Sequence, residues 1–143
     1  MKSVLYTSNC KFSEFDVHDL DIFRTAMSHN AAVGIHGFLY RTKAHYFQYI
    51  DGPDREINNL VNRLFADKRH SDISIIKEEQ IRFTRFPSWS MGYSRDEADR
   101  SQPSIDPTCS SDEVFEFLLN EAKSQIQIMK AKDKGNKLPV SIN

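Results

Sequence analysis

The chain has 143 residues, 39% hydrophobic, 27% charged and 11% aromatic, which is the profile of one globular domain and excludes a disordered or fibrous segment. A chain of this length buries roughly 68–70% of the surface its unfolded form exposes, so a core needs neither disulfides nor metal, and two full domains do not fit. Nineteen Lys and Arg against twenty Asp and Glu leave a formal net charge of -1, which excludes a global electrostatic footprint for phosphate backbones and argues against nucleic-acid binding.

Cys10 and Cys109 lie far apart with no C-x-x-C and no Cys/His cluster. They read as plain thiols in a reducing compartment. The N-terminus has no long apolar h-region, and no stretch approaches the eighteen or so apolar residues of a membrane span. A soluble, cytoplasmic protein is the expectation.

Residues 3 to 8, Ser-Val-Leu-Tyr-Thr-Ser, are β-prone and lead into a polar stretch, as a first strand and loop would. From Asp16 the period changes. Val17, Leu20, Ile22, Phe23, Ala26 and Met27 recur at helical spacing, with Asp16 as N-cap and Asp19 in a capping-box position; the spacing predicts a helix to about Asn30. Gly34 introduces two β-rich runs, Ile35 to Tyr40 and His45 to Ile50. They read as a hairpin, although the intervening Arg41-Thr42-Lys43-Ala44 lacks Gly, Asn or Asp.

Asp51-Gly52-Pro53-Asp54 is a strand breaker and helix start. Ile57, Leu60, Val61, Leu64 and Phe65 then fall on one helical stripe. Ile73, Ile75, Ile76, Ile81 and Phe83 predict one or two further strands, and Ser88 to Tyr93 a short one after Pro87. Residues 95 to 111 are polar, with Pro103 and Pro107, and read as a linker. Val114, Phe115, Leu118, Leu119, Ala122 and Ile126 give an amphipathic helix from near Ser111, and the lysine-bearing tail after Met129 is expected to be loose. No internal repeat or low-complexity block interrupts this order.

The predicted architecture is α+β: a ferredoxin-like βαββαββ sandwich with two helices on one sheet face, plus a C-terminal helical extension. It divides into a domain over 1–95 and a linker with helical extension over 96–143. The fold alone names no function.

Three polar residues stand out for a core. Gln48 sits among Tyr46, Phe47, Tyr49 and Ile50, so on a central strand its amide needs partners or costs about 1–3 kcal/mol; on an edge strand it simply faces solvent. Tyr6 is otherwise an ordinary core tyrosine, and Asn30 at a helix end otherwise an αL cap. A ferredoxin-like topology brings the three positions together, where two amides and a phenol surrounded by apolar walls describe a pocket for a planar, hydrogen-bonding ligand.

Five segments carry a family resemblance. Asn30 followed by Gly34 to Tyr40, then His45 to Gly52, Asp67-Lys68-Arg69-His70 and Phe86 to Met91 resemble the successive motifs of the BLUF family, blue-light sensors using FAD. The resemblance covers about residues 2 to 93. It implies a non-covalent FAD whose ring lies between the two helices, with FMN or riboflavin as possible substitutes. Gln48 would bond the flavin N5 and C4 carbonyl region and contact the Tyr6 hydroxyl, while Asn30 would bind the pyrimidine edge. The resemblance carries His29 to that same edge, Arg63, Asp67, Arg69 and His70 to the ring's polar edge or ribityl chain, and Ile22 to packing on the ring. The alternative for Ile22 is a simple core isoleucine.

Two positions depart from the family pattern. His36 stands where Thr is common, and Asp51 where Glu is usual; neither is an implied flavin contact. With no cyclase or phosphodiesterase segment following, the chain resembles the short BLUF proteins, whose roughly fifty residues after the core form helices against the sheet. That implies a photosensor and not an enzyme, a separate and unidentified protein partner, and homo-oligomerisation. The implied photochemistry uses Tyr6 as electron donor and Gln48 as proton relay, and leaves a reversible red shift. Trp89 and Met91 are the implied signal relay, with ordinary core packing as the alternative.

Two other readings compete. A small flavin-dependent oxidoreductase would need a nicotinamide site, and no Gly-rich dinucleotide fingerprint is present. A cofactor-free interaction module would make Tyr6, Gln48 and Asn30 merely structural. The five histidines, His18, His29, His36, His45 and His70, show no metal-ligand spacing, so no metal site is expected.

Overall fold

The computed structural model describes residues 1–11, 17–68, 70–86, 92–97 and 101–136. In chain order they form β1 (Lys2–Cys10), α1 (Val17–Val33), β2 (His36–Arg41), β3 (His45–Gly52), α2 (Asp54–Ala66), β4 (His70–Gln80), β5 (Gly92–Arg95) and α3 (Ser111–Asn136). The expected Asp16 cap, Pro87, Trp89 and Met91 lie outside the described residues, as do the side chains of Asp19, Ile22 and His70.

The strands make one sheet in the order β4-β1-β3-β2-β5. β1 pairs antiparallel with both β3 and β4, β2 pairs antiparallel with β3, and β5 adds parallel to β2. Each helix crossover skips one strand: β1-α1-β2 spans β3, and β3-α2-β4 spans β1. This is the split βαβ arrangement of a ferredoxin-like α+β sandwich.

The chain's apolar residues fill both faces of this sheet. Val4, Tyr6, Ile35, Leu39, Tyr46 and Ile50 face Ile57 of α2, with Val33 of α1 and Leu60 and Leu64 of α2 packed alongside. Alternate residues, Leu5, Phe38, Tyr40, Phe47 and Tyr49, face Val114, Leu118 and Ala122 of α3. Residues 4 to 7 and 46 to 50 are therefore buried without interruption, as strands covered on two sides must be. The α3 stripe closes on its own sheet.

Local chemistry explains the boundaries. α1 continues to Val33 because the left-handed residue is Gly34, at φ 77°, and not Asn30. The Ile35 amide donates to the Asn30 carbonyl at 3.1 Å, the long bond of a Schellman motif. In the hairpin Thr42 supplies what the missing Gly or Asn would: its amide donates to the His45 carbonyl at 2.9 Å, and its Oγ1 accepts from the His45 amide at 3.1 Å. A capping box starts α3. The Glu113 amide donates to Ser110 Oγ at 3.2 Å, and the Ser110 amide donates to Glu113 Oε1 at 3.1 Å.

Three expectations are corrected. Phe65, placed on the α2 stripe by spacing, is 59% exposed, because only about a third of the helix circumference meets the sheet. β4 ends at Gln80, leaving Phe83 exposed in the following turn. Of the tail expected to be loose, residues 130–136 continue α3 to Asn136, since a helix already nucleated by its packed first half propagates at little cost through the Lys and Ala residues that follow Met129.

Candidate functional site

The site begins with sheet register. Tyr6 on β1 is the direct partner of Gln48 on β3, and Gln48 in turn is the partner of Leu39 on β2. Residues paired across adjacent antiparallel strands put their side chains on the same face about 4.5–5.5 Å apart at Cβ. Tyr6 and Leu39 belong to the core under α1 and α2, so Gln48 shares that face. It lies in the interior of the sheet and is 5% exposed, which removes the edge-strand alternative.

A register shift between Leu5 and Tyr6 in the β1–β4 ladder falls at this position. Such bulges re-aim side chains and recur beside functional sites.

Tyr6 and Asn30 are fully buried, and among the described residues the Tyr6 hydroxyl and both Asn30 side-chain polar atoms, Oδ1 and Nδ2, have no hydrogen-bond partner. Each such group costs about 1–3 kcal/mol of desolvation when it has no partner, which makes these three atoms candidates for contacts to a ligand. Asn30 lies in the last turns of α1, and its carbonyl holds Ile35 of the same core. The amide offers one donor and one acceptor side by side. This complements a cyclic imide edge, such as the pyrimidine edge of a flavin, where a carbonyl adjoins an N–H.

The electrostatics keep Tyr6 neutral. Burial pushes its pKa far above the ordinary phenol range, and the Asp67 carboxylate at the end of α2 pushes in the same direction. Asp67, which the resemblance carries to the ligand's polar edge, thus acts electrostatically on Tyr6. Its amide closes α2 by donating to the Leu64 carbonyl at 3.1 Å.

At the surface, Arg63 of α2 donates from Nη1 to His29 Nδ1 of α1 at 3.2 Å. The pair bridges the two helices beside a shallow groove that Glu56, Asn59 and Asn62 also line. His29 is next to Asn30, so a ligand edge held by Asn30 would have this groove as its neighbour. The expected contact Arg69 lies outside the described residues.

A second cluster was not picked out from the sequence. Tyr49, on the α3 face, donates from its hydroxyl to Asp51 Oδ2 at 3.0 Å, and the Arg85 amide donates to the same oxygen at 3.0 Å. Asp51 is completely buried, and burial raises its pKa against the lowering effect of those bonds. Its cross-strand partner is His36, with Nδ1 3.9 Å from Asp51 Oδ1. The two family departures are therefore neighbours. Period-two alternation put Tyr49 and Asp51 on one face, but only strand pairing could join them to His36, and only the packing of the segment after β4 to Arg85.

No cluster of metal-ligating side chains occurs among the described residues. No helix there is long and apolar enough to cross a membrane.

Residues 1–92 match the family described as BLUF, sensors of blue-light using FAD. The chain is 31% identical to BlrB, a BLUF protein solved in its dark state, at a TM-score of 0.63, with 66% of this chain and 71% of that one covered. The ground state of BlsA superposes at a TM-score of 0.71 and 24% identity, covering 85% of this chain and 86% of that one, a likeness in fold that includes α3. Photoactivated adenylate cyclase subunit beta of Euglena gracilis is 25% identical over 85 residues, 59% of this chain. The chain spans about a tenth of that subunit's length.

Proposed function

The chain belongs to the BLUF family of blue-light sensors using FAD, and on that premise we propose that it is a blue-light photoreceptor that holds FAD non-covalently under α1 and α2 and signals to a separate protein partner. The observation that carries this reading is the set of buried polar atoms without a partner among the described residues, the Tyr6 hydroxyl on the sheet face where Tyr6 opposes Gln48 and Oδ1 and Nδ2 of Asn30 on α1.

Asn30 binds the imide edge of the ring, and the apolar wall of Leu39 and Ile50 supports the neighbourhood of Gln48. Arg63, Asp67 and His29 serve the polar edge and ribityl side, with Arg69, His70 and Ile22 as further contacts. FMN and riboflavin fit the same ring contacts. The bound flavin supplies blue-light absorption and a strongly oxidising excited state. Tyr6 would be the donor of an electron and its hydroxyl proton to the excited flavin, with Gln48 as the relay of that proton, and both would return to Tyr6 on recombination; Gln48 would be left with an altered hydrogen-bond arrangement, giving a red shift without net chemistry. A neutral Tyr6 suits this role, because electron loss and proton loss are coupled only if the proton is present.

The test is to purify the protein in darkness and record its absorption spectrum before, during and after a blue pulse. A flavin spectrum that shifts to the red and recovers in the dark is expected. A flavin spectrum that stays fixed, or one bleached rapidly by NADH or NADPH without oxygen, points instead to a flavoenzyme. A colourless protein that takes up no added FAD makes Tyr6 and Asn30 structural residues of an interaction module.

A further inference from the structure

A photosensor must turn one rearranged hydrogen bond, worth about 0.5–1.5 kcal/mol, into a movement that a partner can detect. The sheet is one residue thick, so whatever shifts β3 at Gln48 shifts the adjacent Tyr49 on the opposite face. Tyr49 is stacked on Phe86 at 4.6 Å between ring centroids and meets Phe115 of α3 edge-on at 5.3 Å. Its hydroxyl shares Asp51 Oδ2 with the Arg85 amide. The Arg85 guanidinium lies 5.6 Å over the Phe115 ring and pairs with Glu79 of β4.

We propose that the Tyr49–Asp51–Arg85 hydrogen-bond junction is the mechanical link between the light-sensing strand and α3, with Tyr49 and Asp51 as positioning residues for the output helix. The proposal rests on the photoreceptor reading above. Asp51 is the hinge of the junction because its buried carboxylate, carried on β3 itself, accepts from the Arg85 amide in the segment after β4, while the Tyr49 hydroxyl two residues earlier on the same strand donates to that oxygen and orients it. The aromatic contacts alone tolerate sliding, since stacked rings have a shallow energy surface. The directional bond from the Arg85 amide does not, and with its acceptor oxygen oriented by the Tyr49 hydroxyl it ties the β3 displacement to that of residues 85 and 86, on which the first turns of α3 rest.

The experiment uses the whole chain loaded with FAD. Hydrogen–deuterium exchange across residues 111–126 is followed in darkness and under blue light, with absorption read on the same samples. The wild-type protein should show light-dependent exchange in α3. Tyr49→Phe, which keeps the ring and removes only the hydroxyl, should retain the red shift while the light-dependent change in α3 falls by roughly fivefold or more, the lower end of measured allosteric couplings. Asp51→Ala removes the acceptor of the Arg85 bond itself and carries the test if Tyr49→Phe does not fold. Asp51→Asn keeps an acceptor oxygen and should keep the response, which a merely structural loss of packing would not explain. An α3 response in Tyr49→Phe or Asp51→Ala equal to wild type overturns the junction, as does an α3 indifferent to light in a wild-type protein that shifts normally. A wild-type protein with no red shift instead refutes the photoreceptor reading, and the junction with it.

Discussion

Tyr6 and Gln48 are direct partners across the two adjacent inner strands β1 and β3, both buried on the face covered by α1 and α2. A phenol and an amide so placed are in reach of one another and of a ligand lying against that face. The Tyr6 hydroxyl nonetheless has no partner among the described residues.

Removing that hydroxyl separates the cost of the site from its use. In the flavin-free protein Tyr6→Phe should raise stability by about 1 kcal/mol in urea unfolding, since an unpaired buried donor is removed with little change in shape. In the flavin-loaded protein the same variant should stay yellow but lose the reversible red shift. A normal shift in Tyr6→Phe would end the electron-donor assignment.

Gln48→Leu is expected to bind flavin and to remain spectrally inert. Its side chain fills the same space on β3 but carries no amide to rearrange. A persistent red shift under blue light would refute the role assigned to Gln48.

The Asn30 amide, proposed to bind the flavin's imide edge, has no partner among the described residues. Asn30→Ala should weaken flavin binding by about 1–3 kcal/mol, the penalty for leaving the ring's polar edge unpaired in a buried site. That corresponds to roughly tenfold in affinity for each 1.4 kcal/mol. Equilibrium titration with riboflavin, FMN and FAD checks it, and a similar loss for all three is expected because each presents the same imide edge.

The two halves of α3 should respond oppositely to substitution. Leu118 is fully buried against the sheet, so Leu118→Ala should cost about 2–5 kcal/mol. Ile128 is 55% exposed, so Ile128→Ser should change stability by no more than about 0.5 kcal/mol. Thermal or urea unfolding distinguishes them, and a large loss at Ile128 would show that the outer half of α3 is covered in solution.

Alkali should unfold the protein through its tyrosines. Burial raises the pKa of Tyr6, Tyr40 and Tyr49 above the ordinary phenol value, with Asp67, Asp96 and Asp51 respectively acting in the same sense. A raised folded pKa gives stability that is fully present below the unfolded value of about 10 and is lost as pH climbs from there through the folded value. Urea midpoints should therefore be unaffected by these groups below about pH 9, fall above about pH 10, and fall less steeply in Tyr6→Phe. An unchanged midpoint at high pH would contradict the burial of these phenols.

Much of this protein was legible in residue order. The stripe from Ile57 to Leu64, the breaker at Gly52-Pro53 and the helix start near Ser111 each act over a turn or two, and local backbone physics decides them. The order strand, helix, hairpin, helix, strand then leaves few topologies, and the positions of Tyr6, Asn30 and Gln48 carried the family resemblance. What sequence could not settle was register and partnership. Asn30 could have been an αL cap until Gly34 took that conformation, and Gln48 could have faced solvent until β3 proved to lie inside the sheet. Asp51 and His36 were only unusual letters until strand pairing set them opposite each other and the segment after β4 brought the Arg85 amide to the same carboxylate. Hydrophobic periodicity is a property of one segment at a time, whereas a shared carboxylate, an orphaned hydroxyl and a covered helix face belong to segments tens of residues apart, which only the packed chain brings within hydrogen-bond reach.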